Sequence, residues 1–240
     1  MSVAAGYAPA VSGPSEARLA FMRRVGVFTF IGLAVAALVA VVSMVTVAPV
    51  VFSMGSWGGF VAVLGSFAIS HYVARKMIYG GAKIPGFILG VVFEGISFGF
   101  LLLSTIAFIP VGGTAEGAAA AGFAVIAQAM TITAASGLGM LVYVWFNKSE
   151  LNLVKAGLSV LGFPMLILMV MQFIFPVGGL LGLVICGVFV VASGAALLYR
   201  LNLVVHSYEE DQHIEAAYEI SMALLVLLWN VIALLNRLRR

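Results

Sequence analysis

The sequence predicts an all-α polytopic membrane protein, a single bundle of seven transmembrane helices, and three observations carry that expectation. Of its 240 residues 63% are hydrophobic and 9% charged, so polar side chains are too few to cover a water-facing surface. A soluble domain carries about 45–50% apolar and about 25% charged residues. The mean hydropathy is +1.19, and the apolar excess gathers into runs of about 20 residues, the length that crosses a bilayer. The basic residues behind the net charge of +3 stand at the ends of those runs, which reads as topology and headgroup anchoring and not as a nucleic-acid patch. This balance excludes a soluble enzyme, a disordered chain, a coiled coil and a collagen-like rod.

Residues 1–24 are rich in Ala, Gly, Pro and Ser and read as a flexible tail ending in Arg18, Arg23 and Arg24; residues 25–240 read as one membrane domain. The apolar run from Val25 to Ala48 is too long for the core of a cleaved signal peptide, so it is expected as the first span. Further spans are expected at 56–74, 85–109, 120–146, 156–175, 178–199 and 216–236. Pro49, Pro110 and Pro176 fall at boundaries, where a missing backbone donor costs least, while Pro164 falls within the fifth span and predicts a kink. Gly86 with Gly90, Gly95 with Gly99, and Gly178, Gly182 and Gly187 recur at helical contact spacing, which lets helix backbones approach closely.

With the N-terminus in the cytoplasm, the inner side receives Arg18, Arg23, Arg24, Arg75, Lys76, Lys83, Lys148, Lys155 and Arg200. Only Arg237, Arg239 and Arg240 fall on the other side, so the last segment either is shallow or follows a topology already fixed upstream. Short tails and the lack of an organelle signal point to a bacterial inner (plasma) membrane. Cys186 is the only cysteine, which excludes an intrachain disulfide and a multi-cysteine metal site.

The polar residues inside the spans are few, and each needs a reason. Glu94 sits near the middle of the third span, where a carboxylate costs at least about 2.5 kcal/mol to insert and should face the bundle interior or a wet cavity. Two readings stand open: a proton- or cation-handling group, or an acid bonding neighbouring helices. Glu215 and Glu219 share a helix face, Glu215 reading as interfacial and solvated and Glu219 as a partner for a basic group or ion. Arg200 ends the sixth span and either snorkels to headgroups or pairs. His71 stands four residues before Arg75 and makes either an interhelical hydrogen bond or part of a proton relay. The following loop gathers His206, Glu209, Glu210, Asp211 and His213, which is either a solvated loop or a weak divalent-cation or pH-sensing cluster.

Several membrane functions lose support on the residues present. A retinal protein needs a lysine buried in a late span, and Lys76, Lys83, Lys148 and Lys155 all lie near ends or loops. Ser193 before Gly194 has no base nearby in sequence, so an intramembrane serine protease has no dyad. No phosphate-cradling glycine loop or zincin histidine pair occurs, which excludes a nucleotide-driven pump and leaves no catalytic site and no cofactor to expect.

The stretch Phe93-Glu94-Gly95-Ile96-Ser97-Phe98-Gly99 resembles the third-span motif of the transmembrane Bax inhibitor motif family. Thr133 through Tyr143 to Lys148 resembles the end of the family's fourth span, and Leu198-Tyr199-Arg200 to His206 with Ala216 through Ala223 is similar to its closing layout. Two departures fall at informative positions: Arg200 stands where the family commonly has an aspartate after tyrosine, and Ala223 aligns with its second aspartate. The family's paired-carboxylate latch therefore does not carry over. Glu219 lies one turn before Ala223 on the same face, so Arg200 is expected to reach it and form an ion pair less sensitive to mild acidification. The resemblance implies a passive leak for calcium or another cation, with Glu94 in the path and Glu219 and Arg200 at the closure. It equally implies an alternative, a non-conducting protein that binds another membrane protein such as a membrane-bound protease. Lipid is an expected partner in both, and nucleic acid in neither.

Overall fold

The computed structural model describes residues 15–107, 115–146, 151, 154 and 179–239. Helix α1 spans Ser15–Ser53. A second continuous helix is built from α2, Ser56–Ala68, a π-helical turn, Ile69–Val73, and α3, Ala74–Tyr79. Then follow α4, Lys83–Ala107, α5, Ala115–Phe146, α6, Gly179–His206, and α7, His213–Leu238.

These are six continuous helices among the described residues, and five contain stretches long and apolar enough to cross a membrane: Glu16–Ser53, Lys83–Ile106, Ala120–Phe146, Gly179–His206 and His213–Leu238. The expectation of seven transmembrane helices is corrected accordingly. The segment expected as the second span is not among the five: the π turn divides it into α-helical pieces of 13 and 6 residues, neither long enough by itself to cross a hydrocarbon core about 30 Å thick. The segment expected as the fifth span, 156–175 with Pro164, lies outside the described residues, as do Pro110, Pro176, Gly178, Lys148, Lys155 and Arg240.

Two boundaries also differ. The first helix starts at Ser15, well upstream of Val25, because Phe21 and Val25 are buried and Arg18 reaches the end of α6. There its guanidinium donates to the backbone carbonyls of Val204, Val205 and Tyr208, groups left over where a helix ends. Pro49 lies inside α1 instead of ending it. One missing N–H near the C-terminus of a 39-residue helix is a small loss, and the chain reverses a turn later at Gly55, whose φ of 90° suits glycine.

Close packing of α1 on α4 rests on the glycine pair. A Cβ at Gly95 would stand 2.7 Å from the carbonyl oxygen of Ala36, and one at Gly99 would stand 2.6 Å from Cβ of Ser43. Gly99→Leu is therefore expected to cost about 1–3 kcal/mol of stability through overpacking. Thermal unfolding in detergent checks this against Gly187→Leu, where a Cβ meets nothing within 4 Å and the midpoint should hardly move.

Helix α7 is the centre of the bundle and packs on α1, α3, α4, α5 and α6. Every residue from Ile214 to Ala223 is buried, which places both of its carboxylates inside protein. Glu215, expected to be solvated, is thereby corrected: it is buried and paired with Lys83 at 2.7 Å. Arg18, the α3–α4 corner and the α6–α7 loop meet at one end of the bundle. At the other end Arg239 bonds the carbonyl of Ala121 and Oε1 of Gln128, and Asn236 bonds Thr105. Arg239 thus stands apart from the main basic end.

Candidate functional site

The two buried carboxylates of interest lie on crossing helices and are joined through the π turn. On α4, Glu94 is 2% exposed, in a stretch whose neighbours Gly90 and Gly95 let α3, α7 and α1 close around it. The π turn widens the helix at Ile69–Val73 and directs Ser70 and His71 at Glu94; such turns recur at functional sites. Ser70 Oγ donates to Glu94 Oε2 at 2.7 Å. His71 Nδ1 lies 2.9 Å from Ser70 Oγ and 3.5 Å from Glu94 Oε2, and its ring stacks on Phe67 with centroids 3.9 Å apart. From α7, the hydroxyl of Tyr218 donates to the carbonyl oxygen of Ser70, so both polar faces of this residue are engaged.

Next to Tyr218 on α7, Glu219 is 4% exposed and held by two arginines. Arg75 Nε, from α3, is 3.1 Å from Oε1, and Arg200, from α6, forms an ion pair with Oε2. The hydroxyl of Tyr79 also donates to Oε1 at 3.2 Å, and it lies 3.1 Å from that of Tyr208. Arg75 further stacks over the Tyr79 ring. Beside this clamp is a cavity of about 350 Å³ lined by Arg75, Arg200, Tyr199, Tyr208, Leu203 and Glu219, with Ala196. Three helices therefore converge on one carboxylate.

Of the residues singled out from sequence, Glu94 and His71 meet, and Glu219, Arg200 and Arg75 meet. His71 and Arg75 sit one turn apart and serve different carboxylates. The loop residues do not gather. His206 Nε2 is 3.3 Å from the carbonyl of Val144, the backbone N–H of Glu209 donates to Gln212, and His213 faces Phe28 at 5.5 Å. The backbone carbonyl of Asp211 accepts from Lys83, and Glu210 acts on Arg18. Among the described residues no group of three or more His, Cys, Asp or Glu is placed to hold a metal ion.

Sequence reasoning missed Ser70, Tyr218 and Tyr79. A serine or tyrosine in an apolar helix carries no charge to flag it, and its partner is far away in sequence: Ser70 to Glu94 spans 24 positions and Tyr218 to Ser70 spans 148. The Lys83 to Glu215 pair was also not legible, because Glu215 sits at a helix start that looks interfacial in a linear view.

Buried ion pairs and a carboxylate hydrogen-bonded in mid-helix, within a largely apolar helical bundle, define a polytopic membrane protein that contacts lipid. The chain belongs to the family described as inhibitor of apoptosis-promoting Bax1, whose model matches residues 18–240. Members of that family are not catalytic enzymes, and the family is associated generally with ion- and channel-like roles; this chain is accordingly not an enzyme. No curated protein and no solved structure matches the chain significantly.

Proposed function

We propose that the protein is a passive leak for calcium or another cation, here in a closed conformation, with the basic end of the bundle facing the cytoplasm of a bacterial inner membrane. The observation that carries the reading is the clamp of Arg75 and Arg200 on Glu219, at the edge of a cavity of about 350 Å³. A closure made of opposite charges needs no shared proton to hold it, so the leak responds weakly to mild acidification. Glu94 lies on the route inward, sealed by Ser70 and His71, and supplies the field for a cation once the helices part.

Calcium flux into liposomes holding the purified protein, at ~pH 6 and ~pH 8, tests the reading. Flux above empty liposomes is expected, largely lost in Glu94→Gln, raised in Glu219→Gln, and similar at the two pH values. No flux in any variant would overturn the leak. Marked activation or inhibition by acid in the wild type would overturn the weakly proton-sensitive closure.

A second reading is a non-conducting regulator that binds another membrane protein, such as a membrane-bound protease. It is favoured by a groove of about 280 Å³ between α5, α6 and α7, an apolar surface of valine, leucine, isoleucine and methionine side chains in which Ser136, Gly194 and Ala195 would let a further helix approach. In this reading Glu94→Gln changes stability and not flux.

A further inference from the structure

We infer that the cavity between α3, α6 and the α6–α7 loop is a binding site for an anionic phosphate group, supplied by a lipid headgroup. The charges there do not balance. Arg75 and Arg200 face a single carboxylate, Glu219, so one positive charge is left over at the cavity wall. The neighbouring carboxylates do not supply the missing negative charge at the cavity: Glu215 engages Lys83 at 2.7 Å, Glu210 acts on Arg18, and Glu94, bonded to Ser70 and beside His71, does not line it.

Donors are in surplus as well. Each guanidinium carries five N–H groups, whereas Glu219 takes one contact from Arg75 and one from Arg200, and its Oε1 is shared with the Tyr79 hydroxyl. The remaining forks border a space of about 350 Å³, with Tyr199 and Tyr208 on its wall. A planar guanidinium fork matches phosphate oxygens bidentately, and a small carboxylate already saturated by three donors does not exhaust two of them.

Depth selects the source of the phosphate. Arg75 is one turn from the end of α3, and Arg200 is six residues, about 9 Å, from the end of α6 at His206. Both ends belong to the part of the bundle that also carries Arg18 and Lys83, where headgroups lie. The Arg75 side chain is 55% exposed and that of Arg200 is 29% exposed, so the site is open to an entering headgroup while its floor is protein. Basic pockets between membrane helices bind anionic headgroups for this reason. Occupancy of the site stands whether or not the bundle conducts.

The test is native mass spectrometry of the full chain, released from micelles of mixed phosphatidylglycerol and phosphatidylcholine, with inorganic phosphate as a separate arm. Wild type should retain phosphatidylglycerol over phosphatidylcholine. Arg75→Gln or Arg200→Gln should lower that retention about fivefold, and Arg24→Gln, exposed at the same end but outside the cavity, should lower it clearly less. Glu219→Gln removes the competing carboxylate and should raise retention, a change of sign that a merely structural role for the clamp does not produce. Equal retention of the two lipids, an equal loss in Arg24→Gln, or lowered retention in Glu219→Gln would overturn the site. Protection of the protein against heat by inorganic phosphate alone, matching that by phosphatidylglycerol, would overturn the lipid as the source.

Discussion

Glu219→Leu is expected to destabilise the bundle by about 3–5 kcal/mol, because it removes the one negative charge between two arginines and leaves Arg200, largely buried, without its carboxylate partner. Arg75 and Arg200 both touch this carboxylate, so without it two guanidiniums are left with no counter-charge between them. Their repulsion in a partly buried site exceeds what it would be in water. The same logic predicts recovery: Glu219→Leu with Arg200→Leu removes both members of a pair, which is often close to neutral, and should regain most of the loss. Denaturant unfolding of the four proteins in detergent measures the coupling. Purely additive losses would show that the pair is not energetically joined.

Tyr218→Ala is expected to cost a similar amount, about 3–5 kcal/mol, and for a different reason. Tyr218 is one of the largest fully buried side chains, and van der Waals contact is the main glue between helices in a membrane. Its ring fills the space that Gly90 leaves empty: a Cβ there would stand 2.6 Å from Cε2 of Tyr218 and 3.1 Å from Cβ of Ala74. Alanine at 218 thus opens a void among α3, α4 and α7 and frees the carbonyl of Ser70 at the same time. Tyr218→Phe separates the two effects. It keeps the ring and removes only the hydroxyl, so unfolding should report about 0.5–1.5 kcal/mol. A Phe variant as damaged as the Ala variant would assign the role of Tyr218 to its hydrogen bond and not to packing.

Both residues stand next to each other on α7, yet only one of them was visible in the linear chain. Glu219 was legible because a charge in an apolar helix has to be explained, and Arg200 because it is a charge closing an apolar run. Arg75 was legible as a charge at a helix end, but not as a second hand on Glu219, since that needs α3 and α7 to cross at one depth. Ser70 and Tyr218 were silent: each is compatible with an ordinary helix, and only the π turn brings the serine onto Glu94. The loop histidines are a different case. His206 and His213 are close in sequence, but one ends α6 and the other begins α7, and they face different neighbours.

Composition and hydropathy determined the class of this protein, because transfer of a side chain from water to hydrocarbon is a local property that sums along a run of residues. They also determined that Glu94 and Glu219 need partners, since the cost of an unpaired ion in hydrocarbon does not depend on which helix supplies relief. The π turn, and the choice of Ser70 for Glu94 and of Arg75 with Arg200 for Glu219, were decided by the folded structure. Those contacts depend on the depth and rotation at which whole helices pack, and packing is set by all the side chains of several helices together.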